Sequence, residues 1–143
     1  MSQGLIMELD NELAEIGRFN EAFEAFAATH ALSAKNLYEV TLAVEELLTN
    51  IITHGFPQGG RHKILVALDI EEGRLTARLV DDGIAFNPLT VPAPDLEIPL
   101  EERGIGGLGV HFVRKAMDSL DYRRENGQNQ LVMTKRVTAD PLP

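Results

Sequence analysis

The chain has 143 residues and a formal net charge of −9, a length that fits one domain around one core. Its acidic surface repels phosphate backbones, which disfavours nucleic acid as a direct partner. The absence of cysteine excludes disulfides and thiolate metal sites. Neither a signal peptide nor an apolar stretch long enough to cross a bilayer is recognisable, so we expect a cytoplasmic protein without membrane contact.

The first part of the chain predicts a strand and two helices. Residues 3–9 alternate between apolar and polar side chains, which indicates a strand. Asp10 or Asn11 is suited to cap a helix that ends near residue 29, and Ser33 a longer helix through about residue 53. The second helix carries an apolar stripe formed by Leu37, Val40, Val44, Leu47, Leu48 and Ile51.

The remainder predicts two hairpins separated by a long loop and a helix. Residues 62–70 and 74–80 alternate as strands, and so do 119–124 and 130–137, which flank a turn at Asn126-Gly127. The prolines between residues 83 and 103 rule out a regular element, so this stretch is a lid, a binding loop or disordered. A glycine-rich run then leads into a helix over 110–117.

This order of elements predicts an α+β fold. We expect a two-layer sandwich in which the helices cover one face of a mixed, mostly antiparallel sheet. Residues 1–137 are expected to form a single domain, and residues 138–143 a flexible tail.

Glu46 and Asn50 are the first candidate pair for chemistry. They lie four residues apart on the second predicted helix and therefore share a face. That face can be a solvated polar surface. Alternatively, Asn50 offers an amide oxygen to Mg²⁺, which favours few oxygen ligands, and Glu46 orients or deprotonates a nucleophile.

Asp81 and Gly83 form a second candidate, since Val80-Asp81-Asp82-Gly83 ends a predicted strand. One interpretation is a simple turn, because aspartate and glycine both favour turns. The other is that Asp81 accepts a hydrogen bond from the exocyclic amine of a base at the floor of a pocket, which would give a buried carboxylate its partner.

The glycine-rich run from Arg103 to Gly109 is the third candidate. Its glycines allow a polyphosphate close to the backbone, and a helix N-terminus adds unpaired N–H groups and partial positive charge. It is not a Walker A loop, because no Gly-Lys-Ser/Thr follows. It is not a dinucleotide fingerprint either, because it follows a proline-rich segment rather than the first strand of a βαβ unit.

Three stretches resemble the ATP-site boxes of the Bergerat-fold superfamily of histidine kinase-like ATPases, and most closely its small anti-sigma-factor serine/threonine kinases. The stretches are AVEELLTNIITHGF (43–56), VDDGIAFNP (80–88) and RGIGGLGVHFVRKAMDSLDYRRENGQNQLVMTK (103–135). The resemblance extends over about residues 5–137 and implies the Bergerat ATP-binding fold.

The resemblance also implies roles in the first two boxes. Glu46, Asn50 and His54 match Glu-x-x-x-Asn-x-x-x-His, in which Asn50 holds Mg²⁺ and Glu46 is the general base for a substrate serine. Asp81 binds adenine and Gly83 follows it, while Ala85 stands where a second glycine is usual.

In the third box, the family pattern matches Gly107, Leu108 and Gly109, with Gly104 and Gly106 ahead of them in a longer loop. The resemblance implies that these residues bind phosphate. Arg103 is a candidate for the terminal phosphate, or alternatively a solvated lid charge. Thr134 is a candidate for a hydroxyl on the phosphate or adenine side.

Taken as a whole, the resemblance implies an anti-sigma-factor kinase that uses ATP and Mg²⁺ to phosphorylate an antagonist (STAS-type) protein in a partner-switching system. It implies a sigma factor as the second partner and allows a homodimer. Two alternatives stay open: a regulatory ATP-binding module that phosphorylates nothing, and a domain of the same fold that acts only through protein contacts.

Overall fold

The computed structural model describes residues 4–90 and 107–138, with the side chains of 107 and 108 left out of the description. Arg103, Gly104 and Gly106 lie outside these residues, as do most of the expected lid and residues 139–143 of the expected tail. Within the two described ranges, no helix is both long and apolar enough to span a membrane.

The described part of the chain contains five strands and three α-helices, and the α+β prediction is confirmed. The strands are β1 (Leu5–Asp10), β2 (Lys63–Glu71), β3 (Arg74–Asp81), β4 (Ser119–Glu125) and β5 (Gln128–Arg136), and the helices are α1 (Glu15–Thr29), α2 (Ala34–His54) and α3 (Gly107–Ala116). The strands form one sheet in the order β1-β2-β3-β5-β4. All four pairings between these strands are antiparallel.

The register places one set of alternating side chains on the face that the helices cover. Val66 lies opposite Leu79 on β3, which in turn lies opposite Leu131 on β5. All three are buried in the same core as Phe19 of α1 and Leu47 of α2. This core lies between the sheet and the helices, as the apolar periodicities predict.

The start of α1 differs from the prediction. The helix begins at Glu15 after Ala14, which makes no capping hydrogen bond through a side chain. Asn11 instead accepts a hydrogen bond from the backbone N–H of His62 and donates to the carbonyl of Gly60. The predicted cap by Asp10 or Asn11 was wrong because long-range contacts with β2 and its preceding loop engage both side chains; Asp10 pairs with Lys63.

The start of α2 confirms the predicted cap and shortens the expected tail. The hydroxyl of Ser33 accepts from the backbone N–H of Asn36 at 3.1 Å. Thr138, expected to begin the flexible tail, donates its N–H to the Asn36 side chain, and its carbonyl accepts from the Ser33 N–H. The expectation was wrong for Thr138, because these contacts tie the end of the described chain to the start of α2.

Two boundaries around the long loop also differ from the prediction. Pro88–Thr90 forms a short 3₁₀ helix where no regular element was expected, and proline is tolerated there because it begins the turn. Helix α3 begins at Gly107 rather than near Val110. Gly107 and Gly109 therefore belong to the first turn of a helix and not to the loop before it.

Candidate functional site

Helix α2 turns Glu46 and Asn50 toward the interior. Asn50 is buried, with 9% of its surface exposed, and Glu46 is partly buried. The amide nitrogen of Asn50 donates to a carboxylate oxygen of Glu46 at 3.2 Å. The alternative of a solvated polar face is therefore wrong, because contacts from other elements cover this side of the helix.

Asp81 is the last residue of β3 and is 3% exposed. Its Oδ1 accepts hydrogen bonds from the backbone N–H of Gly83 at 2.8 Å and from the Asn129 amide at 3.0 Å. Because both donors reach the same oxygen, Oδ2 is the atom that can meet a ligand. The aspartate thus makes the tight turn that one interpretation proposed and also retains an acceptor for a donor such as an amine.

Asn129 is a residue that the sequence did not single out. Besides Asp81, its amide nitrogen donates to the carbonyl of Ile84 at 2.8 Å, and its oxygen accepts from the Phe86 N–H and from the Tyr122 hydroxyl. A buried amide with this many partners fixes its surroundings strongly. The β3–β5 register sets Asn129 opposite Asp81. Because this register cannot be read from the sequence, no local pattern pointed to Asn129.

The turn after Asp81 packs closely against the end of α2. A Cβ atom on Gly83 would lie 2.6 Å from the carbonyl oxygen of Gly55, and Ile84 donates its N–H to the same carbonyl at 2.9 Å. Glycine at position 83 is therefore required by the close approach. Ala85, in place of the usual second glycine, is free of strain: the described non-glycine residues with positive φ are Ala31, Glu72 and Asn126.

These elements enclose a cavity of about 160 Å³. An apolar protein cavity of about 150 Å³ accommodates a planar aromatic ring. The walls combine apolar side chains with a few polar groups, as is usual for small-molecule sites. The lining residues are Asn50, Ile51, His54, Gly55, Asp81, Ile84, Ala85, Phe86, Asn129 and Leu131.

Helix α3 meets α2 at Glu46. A Cβ atom on Gly109 would lie 2.0 Å from the carboxyl carbon of Glu46, so only glycine allows this contact. The backbone N–H groups of Gly107, Leu108 and Gly109 belong to the first turn, whose donors have no partner within the helix. An anion is stabilised at such a position. Asn50 therefore links the cavity to Glu46, and Glu46 contacts the N-terminal turn of α3.

Burial raises the pKa of two carboxyl groups in this site, those of Glu46 and Asp81. It raises the pKa of the Glu46 carboxyl above its ordinary value, and the hydrogen bond from Asn50 partly offsets the shift. Burial also raises the pKa of Asp81, against the hydrogen bonds from Asn129 and Gly83. Raised pKa values in a cleft are typical of functional carboxylates, although burial alone can produce them.

Thr134 is not part of this site, and its predicted role was wrong. It lies opposite Thr76, whereas Asn129 lies opposite Asp81, and Thr134 comes five positions after Asn129, an odd offset. Side chains alternate along a strand, so Thr134 projects from the other face of the sheet. There its hydroxyl forms a hydrogen bond with that of Ser119.

The residues present fit a magnesium–nucleotide complex. The described side chains include no cluster of three or more histidines, cysteines or carboxylates suited to a metal ion. Mg²⁺ bound with a nucleotide needs no such cluster, because phosphate and water supply most of its ligands. Since the nitrogen of Asn50 donates to Glu46, its amide oxygen is the atom suited to the ion.

Comparisons with known proteins agree with this geometry. The family described as histidine kinase-like ATPase domain matches residues 9–135. The serine/threonine-protein kinase BtrW of Bordetella bronchiseptica is 31% identical over 111 residues, which are 78% of each chain. The anti-sigma F factor of Clostridium beijerinckii is 30% identical over 129 residues, covering 82% of this chain and 85% of the relative.

A third relative and a solved structure extend the comparison. The serine-protein kinase RsbW of Listeria monocytogenes is 28% identical over 130 residues, covering 88% of this chain and 81% of the relative. The crystal structure of the RsbU and RsbW domains of a Mycobacterium tuberculosis protein superposes with a TM-score of 0.68. It covers 99% of this chain and 35% of that one at 14% identity, and so shows the fold alone. With the family match over residues 9–135, these findings confirm the resemblance: the chain belongs to the histidine kinase-like ATPase family.

Proposed function

We propose that this chain is a cytoplasmic protein serine/threonine kinase that uses Mg-ATP to phosphorylate an antagonist protein of the STAS type and that also binds a sigma factor. One observation carries the proposal: Asn50 and Asp81 line one cavity, and Glu46 joins Asn50 to the first turn of α3. The names of the relatives, which are serine kinases and anti-sigma factors, supply the class of partner. Residues 1–137 would act as one ATP-binding domain.

The cavity is the proposed adenine site. Asp81 Oδ2 accepts the exocyclic amine, while Oδ1 stays bound to Gly83 and Asn129. Ile51 and Leu131 supply apolar surface for the faces of the ring. The triphosphate extends past Asn50 toward the N–H groups of Gly107, Leu108 and Gly109. Arg103, Gly104 and Gly106, immediately before them in the chain, complete the phosphate site in this proposal.

Phosphoryl transfer then depends on positioning and on charge. The Asn50 oxygen would hold Mg²⁺, which would supply positive charge against the phosphates. Glu46 accepts the proton of the serine hydroxyl as its oxygen bonds to the γ-phosphorus. The bond from that phosphorus to the β–γ bridging oxygen breaks, and ADP leaves with the electron pair. The first turn of α3 stabilises the charge that develops on the transferred group.

Incubation with γ-labelled ATP, Mg²⁺ and the cognate antagonist protein tests the proposal. We expect label on a serine or threonine of the antagonist, lost in Glu46→Gln but retained in Glu24→Gln, which makes the same change on the exposed surface of α1. Tight ATP binding without transfer would identify a regulatory module instead. No saturable ATP binding would leave a domain that acts only through protein contacts.

A further inference from the structure

The Glu46–Asn50 pair separates two concave surfaces. Asn50 lines the cavity proposed for adenine. Glu46 lines a different depression, a groove between α2 and α3. If nucleotide enters from the Asn50 side, the groove is the surface from which a hydroxyl can reach Glu46.

The two helices that form this groove run antiparallel. Gly109, in the first turn of α3, contacts Glu46. At the other end of α3, the carbonyl of Ala116 accepts a hydrogen bond from Lys135, whose ammonium lies 3.8 Å from the carboxylate of Glu39. The groove therefore runs from Glu46 back toward the N-terminal half of α2, alongside the length of α3.

Charge and polarity change along the groove. Glu45 and Glu46 make the end beside Gly109 acidic. Leu42 and Phe112 form an apolar middle, and Phe112 is 36% exposed on the described surface. The exposed Lys115 makes the far end basic. A charge pattern of this kind selects the orientation of a bound chain.

We propose that this groove binds an extended segment of the acceptor protein. The serine that receives the phosphate lies at Glu46, an apolar side chain lies on Leu42 and Phe112, and an acidic side chain lies at Lys115. Lys115 lies six positions after Gly109 on α3, a rise of roughly 9 Å. An extended chain covers that distance in about three residues. Alternate side chains of an extended chain face the same side, so with the serine and the apolar residue facing the groove the acidic residue lies four positions from the serine, within reach of the long Lys115 side chain. The acidic end of the groove disfavours a carboxylate adjacent to the serine.

This inference rests on the proposed kinase function, so its test separates peptide docking from nucleotide binding. The probes are short synthetic peptides with one serine, a leucine two residues away and a glutamate four residues away, on the C-terminal side in one peptide and the N-terminal side in another. Matched peptides carry lysine in place of glutamate. Binding is measured by fluorescence anisotropy in saturating Mg-ATP, and ATP affinity is measured separately by calorimetry.

We expect the full chain to prefer one glutamate peptide over its lysine counterpart by about threefold or more, as for an exposed ion pair. Lys115→Glu should reverse this preference. Phe112→Ser should weaken binding of all the peptides by about tenfold, since it removes apolar contact area. Arg78→Glu and Ile6→Ser make the same kinds of change at exposed positions on the opposite face of the sheet. These two control variants should change neither the preference between peptides nor the peptide affinity.

Each contrary result is distinct. Normal ATP binding with no peptide binding, or with peptide binding indifferent to Lys115→Glu and Phe112→Ser, would overturn the docking groove and leave the nucleotide site intact. If calorimetry showed no ATP binding to the unaltered chain, the proposed function itself would be refuted.

Discussion

Asp81 uses one carboxylate oxygen within the fold, and the proposed nucleotide site gives the other oxygen a ligand. Its Oδ1 holds Gly83 and Asn129, while Oδ2 is the oxygen that can meet a ligand. An ionised carboxylate at 3% exposure loses much of its hydration, and burial accordingly raises its pKa. A ligand N–H that reaches Oδ2 restores part of the lost hydrogen bonding. The position thus favours ligand binding at the expense of the stability of the free chain.

Replacing Asp81 with asparagine should separate these two effects. The amide oxygen can keep the bonds to Gly83 and Asn129, but its NH₂ group would face the adenine amine, donor against donor. Calorimetry should show ATP affinity lower by about 1–3 kcal/mol. Unchanged affinity would exclude the adenine role.

The stability of the same variant should depend on pH in a defined direction. Because the folded-state pKa of Asp81 is raised, its contribution to stability is present at low pH and is lost as pH rises through the folded pKa. At neutral pH, Asp81→Asn should therefore be as stable as the unaltered chain or more stable, with the advantage shrinking in acid. Denaturant unfolding of both proteins at neutral and at acidic pH checks this prediction. A large loss of stability in Asp81→Asn at neutral pH would show that the carboxylate stabilises the fold.

Glu46 should give the transfer reaction an acidic limb. A general base acts only when ionised, and burial raises the pKa of Glu46. The single-turnover transfer rate should fall as pH decreases through a value above that of an ordinary glutamate. Glu24→Gln should keep this limb, since Glu24 lies on the exposed surface of α1. If the transfer rate stayed constant down to the ordinary pKa of a glutamate, Glu46 would not be the base.

At the scale of elements, the contact between α2 and α3 determines where the Glu46 carboxylate, the proposed general base, lies. Gly109 allows the first turn of α3 to rest on the end of the Glu46 side chain. A methyl group there would meet a flexible carboxylate rather than rigid backbone. The glycine is thus a requirement of the site more than of the fold.

Gly109→Ala should therefore reduce activity with little loss of stability. The added methyl displaces the Glu46 carboxylate, and a displacement of about 1 Å can cost on the order of 100-fold in rate. Gly17→Ala is the matched control, because a Cβ there meets nothing within 4 Å on exposed α1. It should gain about 0.5–1 kcal/mol of stability and keep full transfer. Equal transfer rates in the two variants would contradict the proposed packing role.

The elements also show which local patterns can be read from sequence. The Ser33 cap and the hairpin between β2 and β3 followed from adjacent residues and were predicted correctly. The start of α1 was not, because Asn11 is engaged by residues about fifty positions away. Local propensity predicts an element where its determinants are local, and fails where a long-range contact competes for the same side chain.

At the scale of the molecule, the strand register decides which of the predicted site residues lie together. Asn50 and Asp81 were predicted from motifs and line one cavity. Thr134 was assigned to the site and Asn129 overlooked, although both lie on β5. Only the pairing of β5 with β3 decides which of them faces the helices, and a shift by one residue would exchange the two faces.

The central claim is that stretches far apart in the chain bind one nucleotide, and titration of the ¹⁵N-labelled chain with Mg-ATP tests it most directly. The account predicts that the amide signals of Asn50, Gly83, Gly109 and Asn129 shift together with a single dissociation constant, while that of Thr134 changes little. Shifts confined to one of these stretches, or saturating at different concentrations, would contradict it.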